Sequence, residues 1–189
     1  DCRLGPLPSR QIPLICAGTS DPGIAFASKF CADNFCSGAG QINDPRDCAD
    51  TVTRLTAASA AAGSDTKALA LTMIIADETD EAAMKKWEHY VAGTDHEAVE
   101  WSRSQASGDK SAAANSTAGR IQRRTGVPFG GSRLIGSYAT VARLLDEMST
   151  IDGLAGVMLT FDDFVIGVEQ FGQRIQPLMR SRRNLAAAA

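Results

Sequence analysis

The run Ala68–Ala76 constrains the fold of this chain more than any other stretch. Leu69, Leu71, Met73, Ile74 and Ile75 make it almost continuously apolar. A strand with one wet face alternates apolar and polar residues, whereas a strand covered on both faces has no reason to. Such a strand belongs in a parallel sheet, which needs further strands joined by helical crossovers. The segments 13–17, 33–36 and 155–161 read as those strands. Helices are expected over 21–31, from Asp44-Pro45 to about Ala62, and over 81–92, 95–105, 138–148 and 164–179. Their inward residues recur at three- and four-residue spacing: Ile24, Ala27, Ser28 and Cys31; Val52, Leu55 and Thr56; Met84, Trp87 and Val91; Val141, Leu144 and Leu145; Val168, Phe171 and Ile175. Gly63 is expected to stop the second helix.

Strand–helix alternation means an α/β fold with a parallel sheet and right-handed crossovers. Four such units suit a small open sheet and equally suit half of an eight-unit barrel. The chain opens at Asp1-Cys2-Arg3 and not at a Met, and no signal peptide is expected in it. That opening suggests a piece of something longer and favours the half barrel. Half a barrel leaves strand edges unpaired, so self-association into a homo-oligomer is expected.

The 189 residues suffice for one domain with a real core, and the balance of 44% hydrophobic to 22% charged residues is that of a globular protein. A net charge of −3 without a basic stripe gives nucleic-acid binding little support. No apolar run reaches membrane-spanning length. The five cysteines (Cys2, Cys16, Cys31, Cys36 and Cys48) are odd in number and contain no Cys-x-x-Cys pair. Reduced thiols in a cytoplasmic protein are the expectation, with no disulfide frame and no metal site.

Chemistry is expected first at the end of strand 13–17. There Gly18-Thr19-Ser20-Asp21-Pro22 turns the chain into a helix. Gly18 permits the turn, Ser20 or Asp21 can cap the helix, and Pro22 suits its first turn. Amides and a hydroxyl gathered at a helix start make a ready anion site, with phosphate the usual occupant. A plain capped strand–turn–helix explains the same residues without any ligand.

Other polar residues invite weaker readings. Asp162-Asp163 follow the last strand, where a carboxylate pair is conceivable, but a helix cap beside a solvated neighbour explains them. His89 and His96 read as surface or packing residues, because no second ligand cluster accompanies them. Trp87 and Trp101 are expected to cover core between helices. Ser137 is expected to cap the helix that follows it. Residues 106–133 carry small and polar residues without period and read as an irregular loop. This loop, with Arg120, Arg123 and Arg124, is either a lid or a solvated segment.

Several longer blocks carry a resemblance. They are Leu14-Ile-Cys-Ala-Gly-Thr-Ser-Asp21, Ile75-Ala-Asp-Glu-Thr-Asp80, Lys86-Trp-Glu-His-Tyr90, Gly136-Ser-Tyr-Ala139 with Val141-Ala-Arg143, Leu159-Thr-Phe-Asp-Asp-Phe164 and Arg174-Ile-Gln-Pro-Leu-Met179. With these blocks in this order, the chain resembles the C-terminal half of the FMN-dependent pyrimidine monooxygenases of the Rut uracil-degradation pathway. These are a branch of the bacterial luciferase-like flavin monooxygenases. The match is dense over most of the chain and poor in 40–66 and 106–133. The resemblance implies a (β/α)8 TIM barrel, with this chain supplying strands five to eight. It implies that Ser20, with Gly18 and Thr19, contacts the FMN phosphate. It further implies oxidative opening of the uracil or thymine ring by O2 and reduced FMN. A partner flavin reductase would supply the reduced FMN from NADH. The family's flavin-ring and substrate contacts lie in its first four strands, so no catalytic residue is assigned here and the fragment alone is expected to be inactive. Two alternatives stand beside this: a sibling monooxygenase for alkanesulfonates or another small organic substrate, and a non-catalytic α/β binding module.

Overall fold

A computed structural model describes residues 5, 8–106, 108, 111, 116–122 and 131–183. The strands are β1 (Ile15–Cys16), β2 (Asp33–Cys36), β3 (Lys67–Asp77), β4 (Ser132–Ser137) and β5 (Leu154–Phe161). The helices are α1 (Asp21–Phe30), α2 (Ala49–Ala62), α3 (Asp80–Ala92), α4 (His96–Ala106), α5 (Thr117–Gln122), α6 (Tyr138–Met148) and α7 (Phe164–Gln170). Every strand pairing is parallel. No helix among the described residues is long and apolar enough to cross a membrane.

The long apolar strand β3 is the centre of the sheet, as its sequence requires. It pairs with β2 over residues 67–70, with β4 over 72–77 and with β5 over 68–74. The overlaps force β5 onto one edge of β3 and put β2 and β4 in tandem along the other. Alternation along β3 then splits the core in two. Ala68, Ala70, Ile74 and Ala76 pack with Ile24 and Ala27 of α1, Val52 and Leu55 of α2, and Val141, Leu144 and Leu145 of α6. On the opposite face, Ile75 meets Ile135 of β4 and Ala83 and Trp87 of α3.

The strand β4 corrects the sequence expectation, which left 106–133 irregular and resumed only with a helix. Of that segment, 107, 109–110, 112–115 and 123–130 lie outside the described residues, and so do Arg123, Arg124 and the Arg120 side chain. The lid reading therefore falls outside what the structure describes. What it does describe is α5 and β4. On the side away from β3, β4 is held by residues 41–43. The Arg133 amide donates to the Gln41 carbonyl at 3.3 Å, and the Asn43 amide donates to Arg133 at 2.8 Å. Asn43, with φ 56°, then exchanges two side-chain hydrogen bonds with the Ile135 backbone at 2.7 and 2.8 Å.

Three smaller differences have local causes. The second helix begins at Ala49 and not at Asp44-Pro45, because turns occupy 45–48; Gly63 ends it in the left-handed region, φ 66°, as expected. The last helix is α7 only to Gln170. One π turn (Phe171–Ile175) and a 3-10 turn (Gln176–Leu178) follow. The break rephases the inward face: Gly167 and Ile175 are buried, while Val168 is 57% exposed. A Cβ on Gly167 would lie 2.5 Å from the Phe161 side chain, so this close contact admits only glycine. Trp101 was expected to cover core and is instead 66% exposed, on a helix with no buried residue.

Exposed apolar residues lie at both outer strands and just beyond the second: Ile12, Leu14 and Ile15 at β1, Met158 on β5, and Phe164, Val165 and Ile166 at the start of α7. Neither β1 nor β5 has a second strand partner among the described residues. Unpaired edges beside apolar side chains template association. Residues 1–189 expressed alone are therefore expected to dimerise or aggregate in sedimentation measurements. A soluble monomer with one sharp melt would contradict this.

Candidate functional site

In a parallel sheet the C-terminal strand ends face one way, and the strand-to-helix turns gather there. The turn after β1 is built from two close backbone segments. A Cβ on Gly18 would lie 2.7 Å from the Gly23 Cα, and one on Gly23 would lie 2.8 Å from the Gly18 Cα. Gly18 is thus required for lack of space, not for an unusual φ. Ser20 is the N-cap of α1, in extended conformation, and its Oγ accepts from the Gly23 amide at 3.3 Å. Pro22 sits in the first turn, as expected.

Accepting that bond leaves the Ser20 hydroxyl its own proton to donate. Capping and anion binding are therefore compatible roles for one side chain. The other donors at this helix start are the first-turn amides, less Pro22, which has none, and Gly23, whose amide serves Ser20. Gly18, Thr19 and Ser20 are half-buried, so the turn is partly shielded from water and still reachable. The Asp21 carboxylate, in the first turn of the same helix, is unfavourable to an anion, and Arg54 of α2 pairs with it. Arg54 Nη1 also donates to the Thr19 carbonyl at 3.3 Å, and the buried Asn34 of β2 donates to the Gly18 carbonyl at 3.1 Å. The structure places Gly18, Thr19 and Ser20 in one half-buried turn. Sequence reasoning missed Asn34 and Arg54, whose partners lie 16 and 35 residues away.

The turn after β2 is held by Asp47. Its carboxylate accepts from the amides of Ala39, Gly40 and Gln41 at 2.9, 2.9 and 3.2 Å, and from Ser132 Oγ at 2.5 Å. Beside it lies the buried Arg133, which donates to the Gly40 and Gly131 carbonyls at 2.8 and 3.1 Å and stacks 5.0 Å over Trp87. Burial pushes its guanidinium pKa down and the Asp47 charge opposes that shift. A glycine-rich loop followed by Asp was the only local hint of this hub.

The turns after β3 and β5 are occupied by structural partners. Lys86 donates to the Ala76 carbonyl at 2.9 Å and pairs with Asp77 at 2.8 Å, holding that carboxyl below its usual range. Asp163 caps α7 by accepting from Ile166 at 3.0 Å. Its neighbour Asp162 accepts from the Tyr90 hydroxyl at 2.8 Å, so it is more than a solvated charge. Burial, with Asp162 adjoining, pushes the Tyr90 phenol up to about 12. Ser137 caps α6, accepting from Thr140 at 3.3 Å. A cleft of about 440 Å³ lies near this cap, lined by Glu78, Ser137, Tyr138, Gln173 and Arg174. Arg174 grips Glu78 at 2.8 and 2.9 Å and stacks 4.7 Å over Tyr138, and no lining residue belongs to the Ser20 turn. His89 and His96 are exposed, and no group of metal-ligating side chains forms among the described residues.

A parallel sheet whose strands are joined by helical crossovers defines an α/β protein. The chain belongs to the luciferase-like monooxygenase family, whose model matches residues 1–151. It is 50% identical over 187 residues to pyrimidine monooxygenase RutA of Stutzerimonas stutzeri (strain A1501), covering 99% of this chain and 51% of that protein. It is 46% identical over 188 residues to the RutA of Escherichia coli (strain SMS-3-5 / SECEC), covering 99% of this chain and 52% of that one. The chain therefore spans about half the length of these curated relatives. Among solved structures it is similar to riboflavin lyase (RcaE), determined with modified FMN and its substrate riboflavin. The TM-score is 0.67 at 19% identity, over 89% of this chain and 42% of that one. At that identity the likeness concerns the fold.

Proposed function

We propose that this chain is the C-terminal half of a (β/α)8 barrel in an FMN-dependent pyrimidine monooxygenase. On this reading β1, β2, β3 and β5 are the barrel's fifth to eighth strands, and β4 belongs to an insertion between the last two. The observation that carries the reading is the turn after β1. Ser20 holds the helix start while keeping a proton to donate, and half-buried backbone surrounds it. That donor set fits a phosphate monoester, and Gly18, Thr19 and Ser20 are the residues that would hold it. Identity at one residue in two with a pyrimidine monooxygenase, over nearly the whole chain, supports the substrate class.

When bound, reduced FMN supplies the oxygen chemistry that opens a uracil or thymine ring. The residues described here anchor its phosphate end. The same reading gives the protein an NADH-dependent flavin reductase as partner and the cytoplasm as location. The test uses full-length protein with NADH, FMN, a flavin reductase and O2. Uracil or thymine is expected to be consumed only when NADH, FMN, the reductase and O2 are all present, and an alkanesulfonate is not. Turnover of the alkanesulfonate alone would contradict the substrate assignment.

A further inference from the structure

The inference rests on the phosphate reading of the turn after β1 and concerns what sets that turn. Two donors hold it from behind. Asn34, fully buried on β2, donates to the Gly18 carbonyl, and Arg54, from α2, donates to the Thr19 carbonyl. In a planar trans peptide the C=O and the next N–H point in opposite directions. Fixing the Thr19 carbonyl on Arg54 therefore aims the Ser20 amide away from α2, and Ser20 also carries the hydroxyl. The second guanidinium nitrogen of Arg54 pairs with Asp21. Asp21 lies in the first turn of α1, where the helix dipole favours a carboxylate but where a phosphate dianion would be repelled by it. Its side chain is 86% exposed and that of Arg54 is 31% exposed, so the pair is anchored from the arginine's end.

We propose that Arg54 is a positioning residue for flavin phosphate: it aims the Ser20 amide and cancels the charge of Asp21, so that the turn accepts a phosphate monoester dianion. Arg54 acts through the Thr19 carbonyl and the Asp21 carboxylate and does not itself reach the ligand. A planar guanidinium can hold two acceptors in fixed geometry, which an ammonium cannot.

The experiment titrates FMN and riboflavin into the full-length protein and its variants, following flavin fluorescence at low and high salt. Wild type is expected to prefer FMN. Arg54→Gln should weaken FMN about ten-fold, with riboflavin unchanged, because Asp21 is left uncompensated and the turn loses one anchor. The gap should narrow at high salt. Adding Asp21→Asn to Arg54→Gln should recover a large part of the loss. Asp21→Asn alone alters an exposed side chain and should leave FMN binding equal or up to about three-fold tighter. That variant keeps the proposal testable if Arg54→Gln does not fold, since weaker FMN binding by Asp21→Asn would overturn it. Unchanged FMN affinity in Arg54→Gln, equal weakening of both flavins, or no recovery in the double variant would also overturn it. A wild type that does not distinguish FMN from riboflavin would instead overturn the phosphate reading beneath it.

Discussion

Asp47→Ala is expected to lower the stability of the full-length protein by roughly 3 kcal/mol, because one carboxylate holds two loops and a strand together. Its four hydrogen bonds reach the amides of 39–41 and the Ser132 hydroxyl at the start of β4. The bonds to Ala39 and Gln41 are exposed, and water replaces them at little cost. Those to Gly40 and Ser132 are partly buried, and bonds to a charged group are worth about 1.5–3 kcal/mol each. Taking the low end for two bonds gives the estimate. The substitution also takes away the carboxylate whose charge offsets burial of Arg133. In a protein about twice the length of this chain, a thermal midpoint lower by about 3–5 °C is expected. Asp47→Asn should fall between, since its amide turns half of the acceptor into a donor facing other donors. Ser132→Ala removes one of those two partly buried bonds and should cost about 1.5 kcal/mol. An Asp47→Ala protein melting with wild type would show that the 37–41 loop is held by something else.

The Asp47 hub also shows why part of the fold was legible in sequence and part was not. The strand β3 announces itself because burial on both faces leaves a local trace, an unbroken apolar run. The strand β4 leaves none. Ser132-Arg133-Leu134-Ile135-Gly136-Ser137 places an arginine at its heart, and a buried arginine reads as polar in any short window. The groups that make its burial tolerable are remote: the Gly40 carbonyl is 93 residues away, and Ser132 meets Asp47 across 85. The end of the last helix was misread for the opposite reason. Val168, Phe171 and Ile175 keep a helical period, but Gly167 against Phe161 and the π turn at Phe171–Ile175 rotate the helix so that Val168 faces outward.

The candidate site divides in the same way. Ser20 as a cap and Pro22 in the first turn were legible, since caps are read from neighbours. Gly18 was right for a different reason, as the structure needs its missing Cβ more than its backbone freedom. Asn34 and Arg54 were invisible, because each reaches the turn from another element. Asp163 behaved as a cap, whereas the partner of Asp162, Tyr90 on α3, lies 72 residues away.

The second large effect is expected at Ser20, and it tests the central claim that the turn after β1 holds a flavin phosphate. Ser20→Ala removes a hydroxyl bond to a charged phosphate, worth about 1.5–3 kcal/mol. That corresponds to about a ten- to a hundred-fold rise in the FMN dissociation constant. The amides of the turn remain, so binding is weakened and not lost. The variant also loses a helix cap, which costs about 1 kcal/mol of stability with or without ligand. Stability therefore cannot separate the two roles, but a pair of flavins can. Riboflavin has the ring system of FMN without the phosphate. Fluorescence titration of wild type and Ser20→Ala with each flavin should give weaker FMN binding and riboflavin binding that barely changes. Equal weakening of both flavins, or of neither, would mean that Ser20 only caps its helix and that the phosphate site lies elsewhere.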